Sequence, residues 1–176
     1  MTAHPLAPAS GLLDVVTLRL GAEMLAIRAQ VLREVLEPVA ITRVPLAQDF
    51  VAGLLNVRGA VVPLADLRVP FGMPRRALGP EGRILVLDLI LQDRPAVVGI
   101  LADAVHEVTR IDRATLEAVP TVGTRWPPRF VEAIGKWGGG FVMLPDLPAI
   151  FFAFLAGQSG TPFAAGHGPL TQHQGT

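Results

Sequence analysis

One stretch of eighteen residues occurs twice in this chain and constrains its fold more than any other feature. Residues 50–67 read FVAGLLNVRGAVVPLADL, and residues 130–147 read FVEAIGKWGGGFVMLPDL. Aligned without gaps at an offset of eighty residues, the two stretches are identical at seven of eighteen positions. Two copies of one supersecondary unit are the simplest explanation. The sequence therefore predicts a fold with two related halves.

A turn signal separates two apolar runs in each copy. The first copy has NVRG at 56–59, and both Asn and Gly tolerate the positive φ angles that a tight hairpin turn requires. Gly138 stands in the second copy where Arg58 stands in the first. Because the turn keeps its shape without an arginine, Arg58 is the strongest candidate for a functional residue.

Short apolar runs separated by Gly, Pro and Asp fill the middle of the chain. We expect a strand or a helical turn at 31–36, one or two helical turns at 46–55, and a short apolar helix at 149–156. Strands are expected at 15–20, 24–27, 41–44, 61–66, 83–91, 96–101 and 105–108, with turns at 21–23 and 92–95. In the strand that ends near Asp66, we expect Val61, Val62, Leu64 and Leu67 to be buried. Many short strands with little helix indicate an all-β fold, and the repeat indicates two small barrels packed together.

The composition excludes several classes of protein. Fifteen basic and fifteen acidic residues leave no net charge and no basic stripe, so no nucleic-acid partner is expected. Without cysteine there are no disulfides, thiolate metal sites or cysteine nucleophile, in agreement with a cytoplasmic protein. The mean hydropathy is +0.47, yet no apolar run approaches the ~20 residues of a membrane-spanning helix, and no signal peptide is visible. The excess apolar content favours either a protein–protein surface or a larger core.

The two ends of the chain differ from its middle. Residues 1–11 and 157–176 are rich in Gly, Pro, Ala, Gln and His with almost no charge, so we expect disordered tails there. The folded domain is then 12–156, with pseudo-repeated subdomains at roughly 12–80 and 81–156.

Few residues in the middle of the chain could carry catalysis. Both serines fall in the expected tails, and His106 is the one histidine outside them, with no second ligand at metal-binding spacing. Asp66 and Asp146 occupy equivalent strand ends and either form an acid/base pair or, as we favour, accept backbone N–H groups of the following turn. An enzyme or a small-ligand-binding barrel would require Asp66, His106 and Asp146 to converge. No metal or cofactor is predicted.

Several segments resemble one known family. These are LRLGAEMLAI, VLREVLEPVAITRVP, FVAGLLNVRGAVVPLADLRVPFG, ILVLDL with VVGILADAVHEV, and the second repeat copy. Together, over residues 13–155, they resemble the CheW-like domain family, the coupling proteins of bacterial chemosensory arrays. The resemblance implies an all-β fold of two five-stranded, SH3-like β-barrels around a shared core, with short helices including one at the C-terminal end. It also implies a non-enzymatic, cytoplasmic adaptor that joins chemoreceptor tips to a CheA-type histidine kinase without entering the membrane.

The resemblance also implies site residues. For receptor binding these are Arg58, Asn56, Gly59, Gly53, Leu32 and Glu34. For binding the regulatory domain of the kinase they are Gly99 and Val98, although Gly99 could instead allow close packing of strands. Arg58 could instead be a solvated hairpin tip, or form an ion pair with Glu34 or Asp66.

Two departures and two alternatives accompany the resemblance. Gly138, Gly139 and Gly140 stand where relatives commonly have a charged residue, and Pro145 stands where they have an aliphatic one. An adaptor of a pilus-motility or other chemosensory pathway fits the sequence equally well. A fragment of a larger kinase, or of an adaptor with a receiver domain, is disfavoured because no phosphoacceptor pattern or ATP-binding segment is present.

Overall fold

The computed structural model describes residues 11–45 and 47–155, so the expected tails, apart from Gly11, lie outside the described residues. Within these ranges the chain forms ten strands and one α-helix. The first half contains β1 Leu12–Leu20, β2 Glu23–Arg28, β3 Leu32–Leu36, β4 Val51–Val57 and β5 Ala60–Ala65. The second half contains β6 Arg83–Leu91, β7 Arg94–Ala102, β8 Ala104–Asp112, β9 Val131–Trp137, β10 Gly140–Pro145 and α1 Leu147–Leu155.

The strands form two five-stranded sheets, and each sheet contains strands from both halves. One sheet has the order β8-β1-β2-β10-β9, and the other has the order β3-β6-β7-β5-β4. The two orders are related by the repeat, since β1 to β5 correspond to β6 to β10. Each half thus contributes one hairpin to one sheet and three strands to the other. Neither residues 12–80 nor residues 81–156 contain a complete sheet.

Both sheets curl towards a barrel without forming a continuous ring of strands. In the described part of the chain, the two edge strands of a sheet are not paired with each other. Instead, the chain after β3 forms one bridge, from Thr42 to Leu54 on β4, and the chain after β8 forms one from Glu117 to Ile134 on β9. Each bridge has two backbone hydrogen bonds of 2.8–2.9 Å. The predicted all-β class is confirmed, as two packed sheets.

The core lies between the sheets and takes residues from both halves. Its largest cluster includes Phe50 and Leu25 from the first half and Ile100 and Phe151 from the second. Phe151 lies on the inner face of α1, and its ring meets that of Phe50 edge to face at 5.2 Å. Because burying one such side chain contributes about 1.5–3 kcal/mol, this shared core holds the two sheets together.

The predicted turn between the first two strands of each half is confirmed, and so is the helix after the second repeat copy. β1 and β2 meet at Gly21-Ala22, and β6 and β7 meet at Gln92-Asp93. The segment 31–36 contains both expected forms, because a 3₁₀ turn at Ala29–Val31 leads into β3. Helix α1 begins two residues earlier than predicted, next to Asp146.

Three expectations were wrong. Of the segment 46–55, the described residues 47–55 do not form helical turns, because Gly53, Leu55 and Val57 alternate inward with the period of a strand and pair with β5. Residues 41–44 are not a strand beyond the single bridge at Thr42. Val61 is 69% exposed on the outer face beside the turn, whereas its neighbour Val62 is buried as predicted.

Pro145 is accommodated at a strand end. It is the last residue of β10 and follows a shift of register between Leu144 and Pro145, opposite Val131. Proline is tolerated at such a bulge because the ladder needs no donor there. Within the described ranges, no helix has the length and apolar character needed to span a bilayer.

Candidate functional site

The hairpin between β4 and β5 presents Arg58 at its tip. Val57 pairs with Ala60, so the loop has two residues, Arg58 with φ 51° and Gly59 with φ 84°. The second hairpin has the same geometry, with φ 57° at Gly138 and 77° at Gly139. Positive φ at both central positions is typical of a type I′ turn, which matches the twist of the flanking strands.

Arg58 occupies a backbone conformation that suits glycine better. A left-handed conformation is unfavourable for an L-residue because its Cβ approaches the following carbonyl oxygen. The equivalent Gly138 avoids this cost. The turn is shorter than the predicted 56–59, since Asn56 lies in β4 and its Oδ1 accepts a 2.8 Å hydrogen bond from the backbone N of Gly59. An arginine at this strained position is consistent with a function of its side chain.

Arg58 forms a two-pronged ion pair with Glu34 on β3. Its Nε and its Nη2 each donate a 3.3 Å hydrogen bond, one to each carboxylate oxygen of Glu34. The Arg58 side chain is 82% exposed and that of Glu34 is 19% exposed. The hydrogen bond and the charge of Glu34 raise the pKa of Arg58 above its usual value. The guanidinium is therefore a fixed, exposed positive charge.

This arrangement is suited to recognising a carboxylate. Glu34 occupies two guanidinium N–H groups and leaves the others available to a second acceptor. A guanidinium can bind a carboxylate bidentately, through two parallel N–H···O hydrogen bonds, which a lysine cannot do. Of the two ion pairs expected for Arg58, with Glu34 or with Asp66, the structure contains the pair with Glu34.

The other predicted receptor-site residues lie near this pair but differ in accessibility. Leu32 is on β3, two residues before Glu34, and packs half-buried against the largest core cluster. Gly53 is buried on β4, where an added Cβ would meet the side chain of Ile41 and lie 2.6 Å from the carbonyl oxygen of Thr42. The absence of a side chain at Gly53 is therefore explained by this close approach.

Both predicted kinase-site residues are interior. Val98 and Gly99 are on β7, in the middle of the second sheet, and Val98 is fully buried. Gly99 pairs with Leu64 on one side and Val86 on the other, and a Cβ there would lie 3.1 Å from Leu64 Cδ1. Close strand packing accounts for the glycine.

The three residues considered for catalysis have separate surroundings. Asp66 Oδ1 accepts a 3.0 Å bond from the backbone N of Arg68, and Asp146 Oδ1 accepts one of 3.0 Å from the backbone N of Ala149 in α1. The favoured interpretation of both aspartates is thus confirmed. His106 is exposed on β8, with its ring centroid 6.1 Å from that of Trp137. No group of three potential metal ligands occurs among the described residues.

A buried arginine that the sequence analysis did not identify connects the two sheets. Arg68 is 1% exposed and has no counterpart in the repeat, where Pro148 takes its place. Its Nη1 donates to Asp66 at 3.3 Å, and its Nη2 donates to Asp103 at 2.5 Å. Asp103 also accepts a 2.6 Å bond from the backbone N of Gly21, in the turn between β1 and β2. The one sequence feature that could have indicated this buried arginine is the Asp-Leu-Arg run at 66–68, which places Arg68 two residues after Asp66.

A cavity of about 300 Å³ lies next to the start of β3. It is lined by the end of β2, by β6 and by the segment that joins β10 to α1. Val31 and Ile90 give it apolar walls, and Asp88, which lines it, pairs with Arg33 at 2.8 Å. An apolar side chain of a partner fits a cavity of this kind.

Comparison with known proteins gives a family for this chain. A family model described as the CheW-like domain matches residues 14–153. The chain belongs to the CheW-like domain family. Chemotaxis protein CheW of Rhizobium meliloti (strain 1021) is 25% identical over 138 residues, covering 78% of this chain and 86% of that protein. Chemotaxis protein CheW of Helicobacter pylori (strain ATCC 700392 / 26695) is 32% identical over 101 residues, covering 57% of this chain and 59% of that protein.

A solved structure supports the same family. The scaffolding protein TtCheW from Thermoanaerobacter tengcongensis has a TM-score of 0.71 and 29% identity, with 86% of this chain and 94% of that one covered. The resemblance to the CheW-like family and the expected fold class are both confirmed. This CheW-like chain is therefore a member of a family of chemotaxis scaffold proteins.

Proposed function

We propose that this protein is a non-enzymatic adaptor that couples the cytoplasmic tips of chemoreceptors to a CheA-type histidine kinase in chemotaxis signalling. The observation that carries the proposal is the Arg58–Glu34 pair, an exposed cation held on a rigid hairpin of a CheW-like fold. A turn that would form more easily with glycine holds an arginine instead, which a binding role explains.

The receptor site in this proposal combines a charged and an apolar contact. Arg58 receives a carboxylate of the receptor, while Glu34 holds the guanidinium in place. Asn56 and Gly59 shape the turn. The apolar contact is made beside Leu32, where the 300 Å³ cavity opens near the start of β3.

The kinase binds a second surface in this proposal, through its regulatory domain. Because Val98 and Gly99 are buried, they act by fixing strand β7 and the strands next to it rather than by touching the kinase. The proposed location is the cytoplasmic side of membrane-bound receptor arrays, reached through the receptors and without membrane insertion.

The absence of catalysis in this proposal agrees with how the candidate groups are used. Asp66 binds Arg68, Asp146 binds the first turn of α1, and His106 lies beside Trp137, with no hydrogen bond among the three within the described residues. The proposal includes no cofactor, metal or nucleic acid.

The substitution Arg58→Glu tests the receptor site. Charge reversal removes the cation that pairs with the receptor carboxylate and sets two negative charges against each other, so receptor binding should weaken by at least about thirtyfold. Kinase binding and the melting temperature should be nearly unchanged. Binding is measured with purified protein against receptor tips from flagellar and pilus-type systems, which also identifies the pathway, and against the kinase regulatory domain.

A charge-swapped variant separates a partner contact from an internal one. Combining Arg58→Glu with Glu34→Arg restores an ion pair inside the protein but moves the cation from the hairpin tip to β3. Receptor binding should stay weak in this double variant. Full recovery would show that only the internal pair matters, and Lys136→Glu on the second hairpin controls for a general loss of positive charge.

A further inference from the structure

The two repeat hairpins are secured differently at the ends of their second strands. In the second copy, Asp146 directly follows β10 and caps α1, which packs into the core. In the first copy the equivalent Asp66 directly follows β5, and turns come after it instead of a helix. Arg68 lies buried two residues later, where the second copy has Pro148. The first hairpin therefore has a buried polar side chain at the point where the second has a helix.

The side chain of Arg68 joins the end of β5 to the end of β7. Its guanidinium donates to Asp66 at 3.3 Å and to Asp103, which directly follows β7, at 2.5 Å. Its backbone is held as well, since its N donates to Asp66 Oδ1 at 3.0 Å and its O accepts a 2.8 Å bond from the N of Met73. The Arg68 clamp, formed by Arg68, Asp66 and Asp103, thus connects two neighbouring parallel strands where both end.

This clamp lies where the sheet has its shortest strand pairing. β5 and β7 pair over two residue pairs, one of which joins Leu64 to Gly99, whereas β6 and β7 pair over nine. β4 is an edge strand, and within the described residues its backbone pairs with β5 and, through one bridge, with Thr42. The β4–β5 hairpin is therefore joined to the rest of its sheet by few backbone contacts.

A small rotation at the clamp becomes a large movement at the hairpin tip. Gly59 in the turn is six residues from Ala65 at the end of β5, which is about 20 Å along a strand. A rotation of about 5° at Ala65 therefore moves the tip by about 2 Å. The two 3.3 Å hydrogen bonds from Arg58 to Glu34 do not survive such a shift.

We propose that Arg68 is a positioning residue for the receptor site. By joining β5 to β7 it fixes the angle of the β4–β5 hairpin, and so holds Arg58 within reach of Glu34 and of a receptor carboxylate. A buried ion pair adds little net stability compared with apolar residues of the same volume, so the contribution of the clamp is the orientation that it fixes. The inference rests on the proposed function for the identity of the partner, but not for the position of the hairpin.

A triple variant removes the clamp without leaving unpaired charges in the core. It combines Arg68→Met with Asp66→Asn and Asp103→Asn, whose amide oxygens still accept the bonds that backbone N–H groups donate to both carboxylates. Amide hydrogen exchange of the full-length protein without a partner is followed by NMR. Amides of β4 and β5 should exchange at least about tenfold faster than in the wild type, while those of β1 and β6 change less than about twofold.

Receptor binding is the second measurement on the triple variant. Receptor tips should bind it at least about fivefold more weakly than they bind the wild type, because Arg58 is no longer held in place. Arg110→Met is the matched control, since it removes an arginine from an exposed pair with Asp14. Exchange and receptor binding in this control should match the wild type.

Three outcomes overturn the proposal. The first is exchange in β4 and β5 that stays at the wild-type rate, and the second is an equal acceleration in all strands, which would mean that Arg68 only adds overall stability. The third is a loosened hairpin with wild-type receptor binding. A wild-type protein that does not bind receptor tips contradicts the proposed function instead, and the exchange pattern then decides on the clamp. If the triple variant does not fold, Arg68→Lys replaces it, because one ammonium lacks the forked geometry of the guanidinium.

Discussion

Replacing the buried Arg68 with methionine should destabilise the protein strongly, because two carboxylates lose their cation. The side chain of Asp66 is 5% exposed and that of Asp103 is 17% exposed. Removing one partner of a buried ion pair costs roughly 3–5 kcal/mol. Asp103 keeps some solvent contact and its bond from Gly21, so we expect a loss of about 3 kcal/mol in the free energy of unfolding.

For a chain of this size, such a loss lowers the melting temperature by about 6–12 °C. The assay is urea unfolding of the full chain, monitored by circular dichroism. The variants can be compared when the free energy of unfolding falls with urea concentration at the same slope in each. Arg110→Met is the matched control. Arg110 lies 3.1 Å from Asp14, and the two side chains are 69% and 59% exposed, so its replacement should cost about 1 kcal/mol or less. If Arg68→Met and Arg110→Met unfold at the same urea concentration, Arg68 does not compensate buried charge and the reasoning fails.

Three further substitutions test the hairpins and their packing. Arg58→Gly should melt about 2–4 °C above Arg58→Ala, because both lose the pair with Glu34 but only glycine relieves the left-handed conformation; equal melting temperatures would contradict this strain. Val62→Asp should unfold or aggregate in a thermal melt, since it buries an unpaired carboxylate, whereas Val61→Asp, at a position 69% exposed, should melt normally. Gly53→Ala should lose roughly 1–3 kcal/mol in urea unfolding because its Cβ meets the chain at 41–42, while Gly79→Ala, with no atom within 4 Å, should change little.

The local features of the fold could be predicted from the sequence because they depend on neighbouring residues. Glycine at the second turn position, apolar alternation on both sides and an Asp at the strand end were enough to predict both repeat hairpins. The equivalence holds in detail, since Asp66 N donates to Phe50 O at 2.8 Å and Asp146 N donates to Phe130 O at 2.9 Å. Exceptions arose where two periods overlapped, as in residues 46–55, whose apolar positions fit a helix and a strand.

Comparison of the two repeat copies was enough to identify Arg58 as a functional candidate, but it could not predict which residues surround Arg58. The repeat singled out Arg58 because the second copy folds the same turn with Gly138. That Glu34 holds the guanidinium depends on bringing β3 next to the hairpin, twenty-four residues away along the chain. The burial of Val98 and Gly99 likewise depends on the position of β7 between β6 and β5.

The sequence by itself determined the repeat, the turns and the inward face of most strands, all of which follow from the residue types over a few neighbouring positions. Only the tertiary structure decided that each sheet combines strands of both halves, and that Arg68 lies buried between Asp66 and Asp103. The physical reason is that strand pairing and charge burial are long-range choices. A strand's pattern specifies which face is apolar, but the partner that covers this face is selected by the packing of the whole core.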